Sequence, residues 1–114
     1  MLETELAFAG VAGQSQLLRG GEVSSRELVE LALARIEVLD SDLNAFGAVY
    51  ADRAREDADR ADRRRAAGED APLLGVPVAV KDEIDLAGEV TSRGTGAFTA
   101  VSYTHLTLPT TPYV

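Results

Sequence analysis

Helical stretches followed by short β-branched runs predict an α/β chain, with the helices first and the strands after them. Three observations carry this. Alanine and leucine recur at three- and four-residue spacing through residues 24–39 and 51–67, the period of an amphipathic helix. Glycines stand where helical patterns stop, at Gly20-Gly21 and Gly68. Val76, Val78 and Val80 then fall on one face of an extended run, with Ala79 and Lys81 on the other.

Taken in order, residues 4–19 read as a first helix, weakened by Gly10 and Gly13. Ser24-Ser25-Arg26-Glu27 is a capping box: the Ser24 hydroxyl can accept from the Glu27 N–H, and Glu27 can reach back. The second helix follows to about Leu39. Its expected buried stripe is Leu28, Ala32, Ile36 and Leu39, widened by Val29, Leu31 and Leu33, and Asp40-Ser41-Asp42 is expected to break it. Asn44 to Tyr50 reads as a short strand with Phe46, Ala48 and Tyr50 on one face. Residues 51–67 form the third helix. Ala51, Ala54, Ala58 and Ala61 mark its inner face, and the outer face predicts the ion pairs Asp52–Arg55, Glu56–Arg60, Asp59–Arg63 and Asp62–Arg65. A turn at Asp70-Ala71-Pro72 leads into the strand that ends at Lys81. Gly88, Gly94 and Gly96 then punctuate a loop or hairpin through Phe98.

The totals bound the function. The 114 residues make one small domain with a modest core. A net charge of -8 argues against a nucleic-acid surface, and six arginines against five acids over residues 51–67 describe a solvated helix face rather than a binding stripe. The absence of cysteine excludes a disulfide framework and a cysteine nucleophile. No apolar run approaches the ~18 residues of a membrane span. Met1-Leu2-Glu3-Thr4-Glu5 is acidic where a secretory signal is basic. A soluble, cytoplasmic protein without membrane or nucleic-acid partners is expected.

Several chemistries can be set aside. Gly75 and Lys81 do not have phosphate-loop spacing, and Asp82 stands where a Ser or Thr would bind magnesium. Asp82, Glu83, Asp85 and Glu89 match no calcium loop. Ser24 and Ser25 have no base nearby in sequence, and His105 has no metal-ligand spacing around it. No metal or cofactor is expected. Lys81 is left as an awkward charge on an apolar run. It is either a strand-end residue reaching water or a functional amine, and the strand pattern by itself favours the first.

The order of features adds to this. The capped Ser24-Ser25-Arg26-Glu27-Leu28-Val29-Glu30, Ala34-Arg35-Ile36, Leu43-Asn44-Ala45-Phe46 and the alanine-charged helix precede Pro72-Leu73-Leu74-Gly75-Val76-Pro77-Val78-Ala79-Val80-Lys81-Asp82. Ile84-Asp85-Leu86-Ala87-Gly88 and Thr91 follow it. Over roughly residues 5–98 this resembles the N-terminal part of the amidase signature family. The resemblance implies helices followed by the first strands of a mixed sheet, and hydrolysis of amide C–N bonds in a small-molecule substrate or amidotransfer. It also implies a Ser–cis-Ser–Lys triad in which Lys81 is the base. Serine–lysine pairs are a variant of triad logic, because a neutral lysine accepts a proton.

Two departures accompany the resemblance. Glu83 stands where many members have asparagine, and the Gly/Ser-rich segment bearing both triad serines is absent after Lys81. Ser92 and Ser102 lie outside such a context. Residues 1–99 are therefore expected to be an N-terminal amidase fragment, inactive alone. Residues 100–114 are expected to be a non-family tail, resembling translated adapter or non-coding sequence. After Ala100 there is no further alanine, and after Arg93 no further Asp, Glu, Lys or Arg. The alternatives are a subunit-type amidotransferase of the same family and a non-catalytic helical interaction module.

Overall fold

The computed structural model describes residues 2–82, 84 and 86–90, and contains four helices in that span: α1 (Glu3–Ala7), α2 (Gly10–Arg19), α3 (Ser25–Leu43) and α4 (Ala51–Ala66). The chain divides into two compact units. The described residues of the first run from Leu2 to Val78, and those of the second begin at Ala79.

The single first helix expected over residues 4–19 is two helices. Gly10 sits at φ +76°, a backbone conformation unfavourable to residues with a Cβ, and the chain turns there. The stops at Gly20-Gly21 and Gly68 are where the glycines predict them. Both helices close with the same double hydrogen bond. Glu22 N–H donates to Leu17 O (3.0 Å) and Gly21 N–H to Leu18 O (3.2 Å); Glu69 N–H donates to Arg64 O (3.1 Å) and Gly68 N–H to Arg65 O (3.0 Å).

Helix α3 starts at the capping box. Glu27 N–H donates to Ser24 Oγ (3.0 Å), and Ser24 Oγ in turn lies 3.3 Å from Glu27 Oε1, so Glu27 reaches back to the hydroxyl. A second acceptor completes this terminus. The Asp62 carboxylate takes the N–H groups of Ser25 (2.7 Å) and Arg26 (3.1 Å), placing a negative charge at the positive end of the helix dipole.

The expected break at Asp40-Ser41-Asp42 does not occur. Helix α3 continues to Leu43 and ends with Asn44 in the left-handed conformation (φ 50°, ψ 42°). Asp40 contributes to the ending instead of interrupting the helix. Its carboxylate accepts from Ala45 N–H (2.6 Å) and Phe46 N–H (3.1 Å), and its carbonyl accepts from Asn44 N–H (2.7 Å). Those bonds also explain why Asn44 to Tyr50 is a connection and not the expected strand. The backbone donors at its start are consumed locally, and Tyr50 is already the residue preceding α4.

Helices α3 and α4 pack through Val29, Leu33, Ala54 and Ala58, with Ile36 and Ala51 at the margin. Alanine on the inner face of α4 lets the two backbones approach closely, and Ala54 and Ala58 are fully buried. Helix α4 starts only at Ala51, which packs near Ile36, so the last turns of α3 have no helix of the described residues beside them. Leu39, expected in the stripe, is exposed for that reason, as are Val38 and Leu43. A second cluster joins Leu18, Val23, Leu28 and Val76, flanked by Leu6 and Leu17. Helix α3 therefore serves two cores, Leu28 facing one and Val29 and Leu33 the other.

The charges of α4 reach across to α3 more than along their own helix. Asp52–Arg55 forms as expected at 3.5 Å, but Asp59 pairs with Arg26 (2.7 Å) and Asp62 caps α3. Arg60 pairs with Asp57 (2.9 Å). Glu30 lies between Arg55 (2.7 Å) and Arg26 (2.9 Å). Hydrogen bonds from Arg55 first, then Arg26, hold its carboxyl below the usual glutamate range.

The α/β expectation is met in part among the described residues. Val76 is buried, Val78 and Val80 are half-buried, and Ala79 and Lys81 are exposed, so the burial alternates as a strand would. Among the described residues, isolated β-bridge positions stand at Val78 and Val90.

The lowered Glu30 value fixes a sign. A group whose folded pKa lies below its unfolded one stabilises the fold fully above the unfolded value, and that contribution disappears as pH falls through the folded value. Glu30→Gln should therefore lower the neutral-pH urea midpoint slightly, the pair being solvent-screened, and the difference from the parent chain should vanish as pH falls through the carboxylate range. Urea midpoints taken from neutral pH down through the carboxylate range check this.

Candidate active-site segment

The described residues that lead into the Lys81 run are organised by a turn. Leu74 N–H donates to Ala71 O and Val76 N–H to Leu73 O, both at 3.1 Å, so residues 71–76 form two overlapping turns. Turning the chain this tightly leaves other carbonyls pointing outward from the turn, and buried carbonyls must find donors. Three side chains from three helices supply them. Ser15 Oγ of α2 donates to Pro72 O (2.8 Å), Arg65 Nη2 of α4 to Leu74 O (2.7 Å), and Ser25 Oγ of α3 to Gly75 O (2.7 Å).

Each donor is itself fixed. Ser25 is 1% exposed and opens α3, with its N–H held by Asp62. Ser15 is buried on the same face of α2 as Leu18. The Arg65 guanidinium also lies 3.7 Å from Asp70, whose carboxylate pairs with Arg19 at 2.9 Å. Among the described residues no buried side-chain nitrogen or oxygen lacks a partner.

Gly75 is what permits the approach. Its φ is +86°, and a Cβ there would lie 3.0 Å from Ser25 Cβ, 3.2 Å from Ser25 Oγ and 3.5 Å from Leu18 Cδ1. Both the backbone conformation and the space disfavour a side chain. Ser25 and Gly75 thus form a matched pair: a small residue with a hydroxyl against a residue with no side chain.

In the second unit, Lys81 and Asp82 are exposed, Ile84 N–H donates to Lys81 O (3.0 Å), Leu86 is buried, and Glu89 N–H donates to Leu86 O (3.1 Å). Lys81 is the only lysine of the chain. Glu83, Asp85, Ser92, Ser102 and His105 lie outside the described residues. Among those described, no group of three or more His, Cys, Asp or Glu is placed to hold a metal, and no helix is long and apolar enough to cross a membrane.

Ser15, Ser25, Asp62 and Arg65 escape a reading of the sequence for chemistry. A signal for two of them exists. Ser15 lies three positions before Leu18, and Ser25 three before Leu28 and four before Val29, so both occupy core-facing positions where a hydroxyl requires a partner. Asp62 and Arg65 give no such signal, because the sequence pairs them with each other.

The Amidase family model matches residues 27–104, and the chain belongs to that family. It is 53% identical over 91 residues to a Mycobacterium tuberculosis protein named as amidase AmiB2, a match covering 80% of this chain and 20% of that protein. It is 56% identical over 79 residues to a glutamyl-tRNA(Gln) amidotransferase subunit from a Synechococcus strain, covering 68% of this chain and 16% of that one. Among solved structures, the native peptide amidase from Stenotrophomonas maltophilia superposes with a TM-score of 0.74 at 33% identity, over 84% of this chain and 20% of that one. The chain spans about a fifth of the length of the curated relatives it matches.

Gly75→Ala should cost at least about 1 kcal/mol from the left-handed backbone, with more added by the contact against Ser25. A urea titration of the variant beside the parent chain checks this. An unchanged midpoint would contradict the assigned packing.

Proposed function

We propose that this chain is the N-terminal part of an amidase that cleaves amide C–N bonds by a Ser–cis-Ser–Lys mechanism, with Lys81 as the base. The single observation that carries the reading is the family match across the Lys81 run, residues 27–104.

In the proposed reaction a serine oxygen attacks the amide carbonyl carbon. Its proton passes through a second serine, held in a cis peptide, to the neutral Lys81 amine. The tetrahedral intermediate collapses with loss of the amine, which takes up a proton returned through the same relay, and leaves an acyl-enzyme. Water then attacks that ester, giving a proton to the relay, and the relay returns that proton to the departing serine oxygen as the carboxylic acid is released. Both serines belong to a Gly/Ser-rich segment beyond Lys81 that this sequence does not contain, so the chain alone is read as inactive. The first strands of a mixed α/β sheet are proposed for the run from Gly75 onward.

A second reading has specific support. The similarity to the amidotransferase is as high in identity as the similarity to the named amidases. An enzyme of that kind would use the same lysine but pass the released ammonia to a second substrate instead of discarding it.

Two results test the proposal. The purified 114-residue chain should show no turnover of an aryl amide. In a complete enzyme bearing this segment, Lys81→Ala should lower kcat by at least about a thousand-fold, as loss of a triad member does. Turnover by the chain alone, or a fully active Lys81→Ala enzyme, would overturn the mechanism.

A further inference from the structure

We propose that the C-terminal end of α3 carries a self-complementary docking face whose occupant is the same face of a second copy of this chain. The inference concerns a surface of the first unit alone and does not depend on the catalytic reading.

Arg35, Val38, Leu39 and Asp42 follow one another at one- to four-residue steps that return to the same side of α3, so they share one face. Ile36 is turned elsewhere and packs with the α3–α4 cluster. Val38 is 72% exposed, Leu39 is 42% exposed, and Leu43 at the margin is 69% exposed. Phe8, 75% exposed, extends the apolar surface past Arg35, whose guanidinium stands 5.3 Å from the centre of its ring. Single exposed apolar side chains are ordinary, whereas a contiguous set marks an interaction site. The face is also held in shape. The Asp40 carboxylate accepts from Ala45 and Phe46 N–H just past the helix end, which keeps Asp42 and Leu43 in the helical frame.

The charges on this face select the occupant. The apolar pair Val38-Leu39 stands midway between one cation, Arg35, and one anion, Asp42. Two such helices laid antiparallel, with a two-fold axis between Val38 and Leu39, place Arg35 of each against Asp42 of the other. Val38 then meets Leu39 across the axis, and every contact occurs twice, as an isologous interface requires. Antiparallel helices also set opposite dipole ends side by side. A parallel pair would set Arg35 on Arg35 and Asp42 on Asp42. The face therefore complements itself in the antiparallel orientation.

Sedimentation equilibrium of the 114-residue chain tests this, in about 0.15 M salt, where repulsion from the net charge of -8 is screened beyond about 8 Å. A monomer–dimer equilibrium is expected. Val38→Glu should weaken it more than about ten-fold, because an unpaired carboxylate would be buried. Arg35→Glu and Asp42→Arg should each weaken it about three- to ten-fold by setting like charges together twice. The double reversal should return to within about three-fold of the parent, because it restores both pairs. The chain has no cysteine, so an introduced thiol reports its position. Val38→Cys should cross-link between copies with a short bis-maleimide, and Glu37→Cys, exposed on the other side of the helix, should not. Circular dichroism confirms folding, and should Val38→Glu unfold, the charge reversals decide.

A chain that stays monomeric to about 1 mM would overturn the inference. So would a dimer indifferent to Val38→Glu and to both reversals, or a double reversal as weak as the single ones. A complete, monomeric enzyme that shields Val38→Cys from a thiol reagent would also overturn it, since the rest of that chain would then cover the face.

Discussion

The turn from Pro72 to Gly75 is the constraint around which the first unit is arranged. It carries the chain from the helices to the valine run and is held by three helices at once. The Gly75 carbonyl is buried and would be costly to leave unpaired, at about 1–3 kcal/mol, while those of Pro72 and Leu74 are partly buried. The helices answer with Ser15, Ser25 and Arg65, one donor apiece. Much else follows from placing those donors. Helix α3 must begin at Ser25 for its hydroxyl to face Gly75, Asp62 must cap that start, and position 75 must be glycine because Ser25 crowds the space of a Cβ. Charges predicted to pair along α4 are diverted to this purpose. Asp62 goes to the α3 terminus and Arg65 to Leu74, in place of the predicted Asp62–Arg65 pair.

The remaining packing is simple by comparison. Alanines on α4 bring it close to Val29 and Leu33, and leucines and valines from α2, α3 and the valine run close a second small core. The exposed ion pairs of Arg26, Glu30 and Arg55 contribute orientation more than energy. The apolar end of α3, with Val38, Leu39 and Leu43 exposed, belongs to neither core of the described residues.

Local signals in the sequence translate well where a single residue dictates the backbone. The Ser24 cap, the Gly20-Gly21 and Gly68 stops and the alanine stripe of α4 all hold in the structure. The departures come from side chains with partners far away in sequence, from a side chain that bonds nearby backbone, and from a glycine at positive φ. Three polar residues in a row at Asp40-Ser41-Asp42 resemble a loop, yet the Asp40 carboxylate completes the helix end and removes the donors a following strand would need. Gly10 reads as a weak point of one helix and divides it into two. The strand character of the valine run is legible as alternation in burial. Family membership is legible in the Gly75–Asp82 run and its order after the helices. The donors that hold the turn before it are not, because serine and arginine on a helix carry no signature of what they touch.

The turn should share the stability of the helical core instead of resting on it loosely. Native-state hydrogen exchange of the Val76 amide, bonded to Leu73 O within the turn, tests this directly. This amide should open with the same free energy as the buried α3 and α4 amides at Leu33 and Ala58, and with the same dependence on denaturant. Exchange of Val76 by a low-energy, denaturant-independent local opening, with Leu33 and Ala58 still protected, would contradict it.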